Sequence, residues 1–277
     1  MKPVYIVSWL FALAISFVSC DDWLDKTPKD RLYPDVYFKT EDELRLFTNQ
    51  FYNNLVPSAV DIYSESSDLI VKSDLMLEMS GQRIIPDEGN GWNFTALRDI
   101  NFYLQYSHNC TEVNARNRYD GVARFFRAYF YFEKVKRYGD IPWYDKALDS
   151  DDPELYKARD SREFVMQKML EDLDFAIANL PKTKNAYVLT RWTALALKSR
   201  VCLFEGTFRK YHGLEDYEKY LNACVSASET FMNESGYTLY KSGSTPYRDL
   251  FASINLQADE VIFGRDYEAS LRSEERR

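Results

Sequence analysis

Apolar residues recur at spacings of three and four along most of the chain, most densely from Gly121 to Pro142 (GVARFFRAYFYFEKVKRYGDIP). With about 100° of rotation per residue, Val122, Phe125, Phe126, Tyr129, Phe130 and Phe132 share an arc roughly 160° wide. Ala128 and Val135 widen it on one side. Arg124, Arg127 and Lys134 lie opposite, with Tyr131 and Tyr138 between them. So broad an arc predicts a helix packed between neighbours rather than one lying on a surface. Lys136 and Arg137 complement the dipole at its end, Gly139 suits a left-handed cap, and Pro142 blocks continuation.

The same period predicts helices on both sides. Thr40 and Glu43 have the spacing of a capping box, followed by Leu44, Phe47, Phe51 and Leu55, with Pro57 closing the segment. Residues 58–91 hold Gly81, Pro86, Gly89 and Gly91 and sustain no period, and so long an irregular connection is usually functional. Helical spacing resumes over Trp92 to Tyr106, and a helix from about Thr111 leads into the central segment. After an extended Trp143-Tyr144, Asp160 and Glu163 form a second candidate box ahead of Met166, Met169, Leu170, Leu173, Ala176, Ile177 and Leu180. Thr190 opens a further helix, with Trp192, Leu195, Ser199, Cys202 and Leu203 on one face and Gly206 as its predicted stop. The last clear stripe runs from Tyr217 through Tyr220, Leu221, Cys224, Ala227, Ser228 and Phe231 to Gly236. Small residues at the expected contacts (Ala194, Ala196, Ala223, Ala227) suit paired antiparallel helices of the tetratricopeptide type. Internal repetition is faint, with Tyr131-Phe132-Glu133 echoed by Leu203-Phe204-Glu205.

Charge and composition narrow the classes. The 277 residues carry a formal net charge of −8, which argues against a nucleic-acid partner. Sparse Gly and Pro favour helices over a sandwich or barrel. Aromatics reach 16 %, most of them expected in a helical core and a few free to stack on sugars. Lys2 and the apolar run Val4 to Val18 read as a targeting segment, shorter than the roughly 20 residues of a membrane-spanning helix. The run ends in Ser19-Cys20, which resembles a bacterial lipobox, so Cys20 is the expected lipidation site and membrane anchor. Asp21 and Asp22 resemble the acidic export signal of surface lipoproteins. Cys110, Cys202 and Cys224 are too few and too widely spaced for a disulfide framework or a zinc site, and no metal or cofactor motif is present.

The block RAYFYFEKVKRYGDIPWY resembles the central helix of the SusD/RagB family, outer-membrane lipoproteins that capture nutrients, mostly glycans. YFKTEDELRLFTNQFYNNL, DSREFVMQKMLEDLDFAIANLP, LTRWTALALKSRVCLFEGT and YLNACVSASETFMNESGYTLY extend the likeness over about Cys20 to Tyr267. It implies a mainly α fold, tetratricopeptide-like hairpins in a superhelical scaffold with irregular loops and a few short strands. The domain plan is a signal peptide over 1–19, a lipidated arm over 20–39, a helical domain over 40–269 and a charged tail, SLRSEERR, over 270–277. Val261-Ile262-Phe263 resembles the strand that opens the family's second half. The family is roughly twice this long, so the chain reads as an N-terminal half, whether natural truncation, frameshift or fragment, with an incomplete and weakly binding site.

No catalytic constellation appears, and His108 and His212 suit exposed or capping positions. The resemblance implies a non-catalytic protein that binds glycans and delivers them to a SusC-like, TonB-dependent outer-membrane transporter. Arg83, Trp92 and Asn93 offer a stacking face with polar partners for hydroxyls, close to where the family places part of its site. Two alternatives stand beside this: a lipoprotein that only docks to the transporter, and an α-helical glycosidase with two carboxyl groups about 5–10 Å apart in one cleft.

Overall fold

The computed structural model describes residues 36–57, 77–84, 91–253 and 256–265. Cys20, most of the N-terminal arm, much of the irregular 58–91 segment and the charged tail lie outside them. The helices are α1 (Glu41–Leu55), α2 (Leu77–Ser80), α3 (Thr95–Tyr106), α4 (Val113–Tyr138), α5 (Arg162–Asn179), α6 (Arg191–Tyr211), α7 (Tyr217–Glu234) and α8 (Pro246–Ala252). Consecutive helices pair antiparallel. Gly121 meets Leu180 while Arg127 meets Asp172, which sets α4 against α5. Trp192 meets Phe231 while Gly206 meets Leu221, which sets α6 against α7. Packing of α5 on α6 joins the two hairpins, and α1 and α3 close over α4. The mainly helical, tetratricopeptide-like architecture expected from the sequence is therefore present.

Local chemistry explains most boundaries. Thr40 and Glu43 form the reciprocal capping box at α1, with Glu43 N donating to Thr40 Oγ1 (3.3 Å) and Thr40 N to Glu43 Oε2 (3.0 Å). Thr190 caps α6 in the same reciprocal way with Thr193. The central helix is one uninterrupted element of 26 residues, and Gly139 follows it at φ +70° as a side chain would not. Its core is aromatic: Phe126 meets Phe51 at 6.1 Å and Tyr52 at 5.0 Å, both edge-on. The echoed motif has a spatial counterpart, because Phe132 and Phe204 pack edge-on at 5.5 Å.

Several expectations need correction. Helix α3 starts at Thr95, so Trp92 stands before it rather than within it. Ser161, not Asp160, caps α5 by accepting from Phe164 N (3.3 Å). Asp160 instead binds Trp143 N (2.7 Å), and Glu163 is drawn to Arg209 and Tyr220 on neighbouring helices. Gly206 does not stop α6, which runs on to Tyr211. A Cβ there would lie 2.6 Å from Leu221 Cδ2 and 3.1 Å from the Leu221 amide, so the glycine permits close approach of α7. Arg127 is buried, although the helical wheel places it opposite the apolar arc. Among the described residues no strand forms around Val261-Ile262-Phe263, and one isolated bridge joins Ile141 to Asp160.

Arg127 and Tyr131 are buried because of what crosses them. The extended segment Ile141 to Leu148, here termed the strap, lies over that side of α4, and beyond the Ile141–Asp160 bridge it has no strand partner among the described residues. Its backbone is satisfied mostly by side chains. Tyr131 Oη accepts from Tyr144 N (2.6 Å) and donates to Pro142 O (3.3 Å), while its ring stacks on Trp143 at 4.2 Å. Asn101 donates to Tyr144 O (2.8 Å) and Lys146 O (3.3 Å), Lys157 to Trp143 O (2.6 Å) and Arg98 to Leu148 O (3.2 Å). Beneath it Arg127 makes a forked pair with Asp172 (2.6 and 2.7 Å) and donates to Asn101 Oδ1 (3.2 Å). Burial alone would depress the Arg127 guanidinium, but the bonds and charge of Asp172 outweigh it and hold Arg127 protonated.

Candidate functional site

Between α3, the strap and residues 155–159 opens a cleft of about 570 Å³. Its walls combine the aromatic rings of Trp92, Phe94 and Tyr144 with Leu97, Leu148 and Leu155. Its polar groups are Thr95, Asn101 and the cations Arg98, Lys146, Lys157 and Arg159. This mixture of apolar wall and a few convergent polar groups is typical of small-molecule sites.

The geometry follows from the fold. Trp92 is 39 % exposed, with Phe94 and Tyr138 packed edge-on at 5.3 and 4.9 Å and the Arg159 guanidinium 4.9 Å from its ring centroid. The turn that carries Trp92 is tied to α4 by Lys134, which donates to Gly91 O. Lys134 also lies 4.9 Å over the Phe130 ring, and partial burial lowers its pKa. It is thus a tether of the site and not a free surface charge. Tyr144 turns its hydroxyl to Glu154 O (3.1 Å), leaving its ring on the cleft wall, and burial raises its pKa. Lys146 is held charged by Glu154 (2.9 Å) and Asp152 (3.3 Å).

The sequence-derived site residues are distributed unevenly. Trp92 lines the cleft. Asn93 stands beside it in the chain, but its Oδ1 accepts from Thr95 N (2.8 Å) at the start of α3. Arg83 lies on an exposed stretch and is not among the residues lining this cleft. Arg98, Tyr144, Lys146, Lys157 and Arg159 join Trp92 in the cleft without a shared sequence motif. They come from three separate segments, and only Trp143-Tyr144 after Pro142 carried a local signal. His108 and His212 are exposed, and each Nδ1 sits 2.9 Å from a carbonyl of its own helical turn. Cys110 and Cys202 are buried free thiols, and among the described residues no cluster of metal-ligating side chains occurs. A second cleft, about 500 Å³, lies between α4, α6 and residues 260–263 and is mainly apolar.

Comparison with known proteins shows relatives of this sequence and fold. A SusD-like family described as "Starch-binding associating with outer membrane" matches residues 60–191. Two curated SusD-like proteins of Formosa agariphila are 20 % and 24 % identical, over 99 % and 91 % of this chain but 54 % and 50 % of their own length. A crystal structure of a SusD-like protein from Bacteroides fragilis superposes with a TM-score of 0.68 at 22 % identity, covering 88 % of this chain and 48 % of that one. A SusD-like carbohydrate binding protein from Bacteroides vulgatus gives a TM-score of 0.55 at 15 % identity, covering 78 % and 49 %. The chain therefore spans about half the length of the relatives it matches.

Proposed function

The chain belongs with the SusD-like proteins by sequence and by fold, and on that premise we propose that it is a non-catalytic glycan-binding lipoprotein of the outer membrane. The observation that carries this reading is the exposed indole of Trp92 set in a cleft with Tyr144 and Thr95. Pyranose rings present an apolar C–H face that aromatic rings cover, while their hydroxyls need hydrogen-bond partners to replace water. The family's description as starch-binding, and the carbohydrate binding named for the Bacteroides vulgatus relative, agree with this chemistry. Delivery of the bound glycan to a TonB-dependent transporter and anchoring through an acylated Cys20 complete the proposal.

Two experiments test it. Affinity electrophoresis against a panel of neutral and acidic polysaccharides is expected to retard the protein in at least one gel. Trp92→Ala is expected to weaken that binding by about tenfold or more, a loss of about 1.4 kcal/mol. Equal retardation of wild type and variant would remove Trp92 from the site, and no retardation by any polysaccharide would remove the glycan reading. For the anchor, Cys20→Ala is expected to abolish palmitate incorporation and to release the protein from membranes. Continued labelling of the variant would show that Cys20 is not the acylated residue.

A further inference from the structure

Resting on the glycan reading above, we propose that the sugar held in this cleft is acidic, its carboxylate or sulfate ester engaged by Arg98 and Arg159. Among the described residues the cleft wall carries four cations and no carboxylate, in a chain whose net charge is −8. Two of the four are matched within the protein: Lys146 to Glu154 and Asp152, and Lys157 to Asp160 (3.0 Å). The arginines are not. Arg98 spends Nε on Leu148 O and Arg159 lies against the Trp92 ring, and among the described residues neither has a carboxylate within ion-pair distance. Asp99 feels the charge of Arg98 without pairing with it.

The acceptor side of the inventory points the same way. Hydroxyls of a neutral sugar both donate and accept, so neutral sugars are matched by carboxylates and amides as well as by cations. The one amide among the described residues of this wall, Asn101, is consumed by Tyr144 O, Lys146 O and Arg127. What remains is mostly donor-only. Guanidinium groups are weakly hydrated forks that fit carboxylate and sulfate oxygens two at a time. Because Arg159 lies against Trp92, an anion it holds is carried on a ring within reach of the indole.

The test is calorimetry of the 277-residue chain with two matched pairs: oligogalacturonate with its carboxyl-reduced form, and a sulfated galactan oligosaccharide with its desulfated form. The acidic member of at least one pair is expected to bind about tenfold more tightly, and this advantage should shrink with added salt. Whichever pair responds distinguishes carboxylate from sulfate. In Arg98→Gln/Arg159→Gln the preference is expected to vanish, so that the acidic and neutral members of each pair bind equally. Arg98 also holds Leu148 O, so Arg159→Gln alone, at an exposed side chain, is the second variant and is expected to reduce the preference with the thermal melt unchanged. Equal affinities within each pair, or a preference that survives the double substitution, would overturn the acidic-sugar proposal and leave glycan binding standing. Failure of all four probes would overturn this inference, while the glycan reading stands or falls with the polysaccharide panel above.

Discussion

Asp172→Ala is expected to destabilise the fold by about 3–5 kcal/mol, because it strands a buried guanidinium. Arg127 and Asp172 sit between α4 and α5, 7 % and 2 % exposed, so water cannot take the place of the lost partner. Arg124, 3.8 Å from Asp172 and half-buried, loses the same carboxylate. Replacing both partners by apolar residues of similar size is a different experiment. Arg127→Met/Asp172→Leu removes both desolvation costs, so it should recover the greater part of the loss, to within about 2 kcal/mol of wild type. The remaining deficit reflects Asn101, which loses one donor, and Trp143, which loses the guanidinium 5.1 Å from its ring centroid. Denaturant titration of the three proteins decides it. A single variant as stable as wild type, or a double variant no better than the single, would show that the pair is not buried as described.

Phe126→Ala should cost a similar amount, about 3–5 kcal/mol, for an unrelated reason. Its ring is 1 % exposed and lies among Phe51, Tyr52 and Phe125, where rigid aromatic neighbours on α1 and α4 cannot collapse into the space left behind. Leu203→Ala, at a residue of α6 that is 51 % exposed, is expected to stay within about 0.5 kcal/mol. Equal unfolding midpoints for the two variants would contradict the packing of α1 on α4.

The helices were largely legible because their signals are local. Thr40 and Glu43, Thr190, and the stripe from Met166 to Leu180 need only their own segments to be read. Misreadings arose where a distant segment decides. Arg127 looks solvent-facing on the wheel of α4 alone, and only Asp172, 45 residues on, explains its burial. Gly206 has the composition of a stop signal, but the side chain that requires it belongs to α7. Asp160 and Glu163 have capping-box spacing, and both found stronger partners elsewhere. The cleft was the least legible feature. Trp92 was visible as an aromatic at a helix boundary, whereas Arg98, Tyr144 and Arg159 meet only because the strap crosses α4.

The strap also determines how this region tolerates changes of length. A strand in a ladder can slide by two residues and regain both its pairing and its facing. The strap cannot, because the carbonyls of Pro142, Trp143, Tyr144, Lys146 and Leu148 answer to Tyr131, Lys157, Asn101 (for both Tyr144 and Lys146) and Arg98. Each bond is addressed individually, so one inserted residue between Pro142 and Leu148 would misdirect every contact downstream of it. The exposed turn at residues 149–151, just beyond, carries no such addresses. Insertions and deletions should therefore accumulate after Leu148 and be excluded before it, leaving Tyr144 fixed against the cleft while the rim beside Lys157 and Arg159 is free to vary in length.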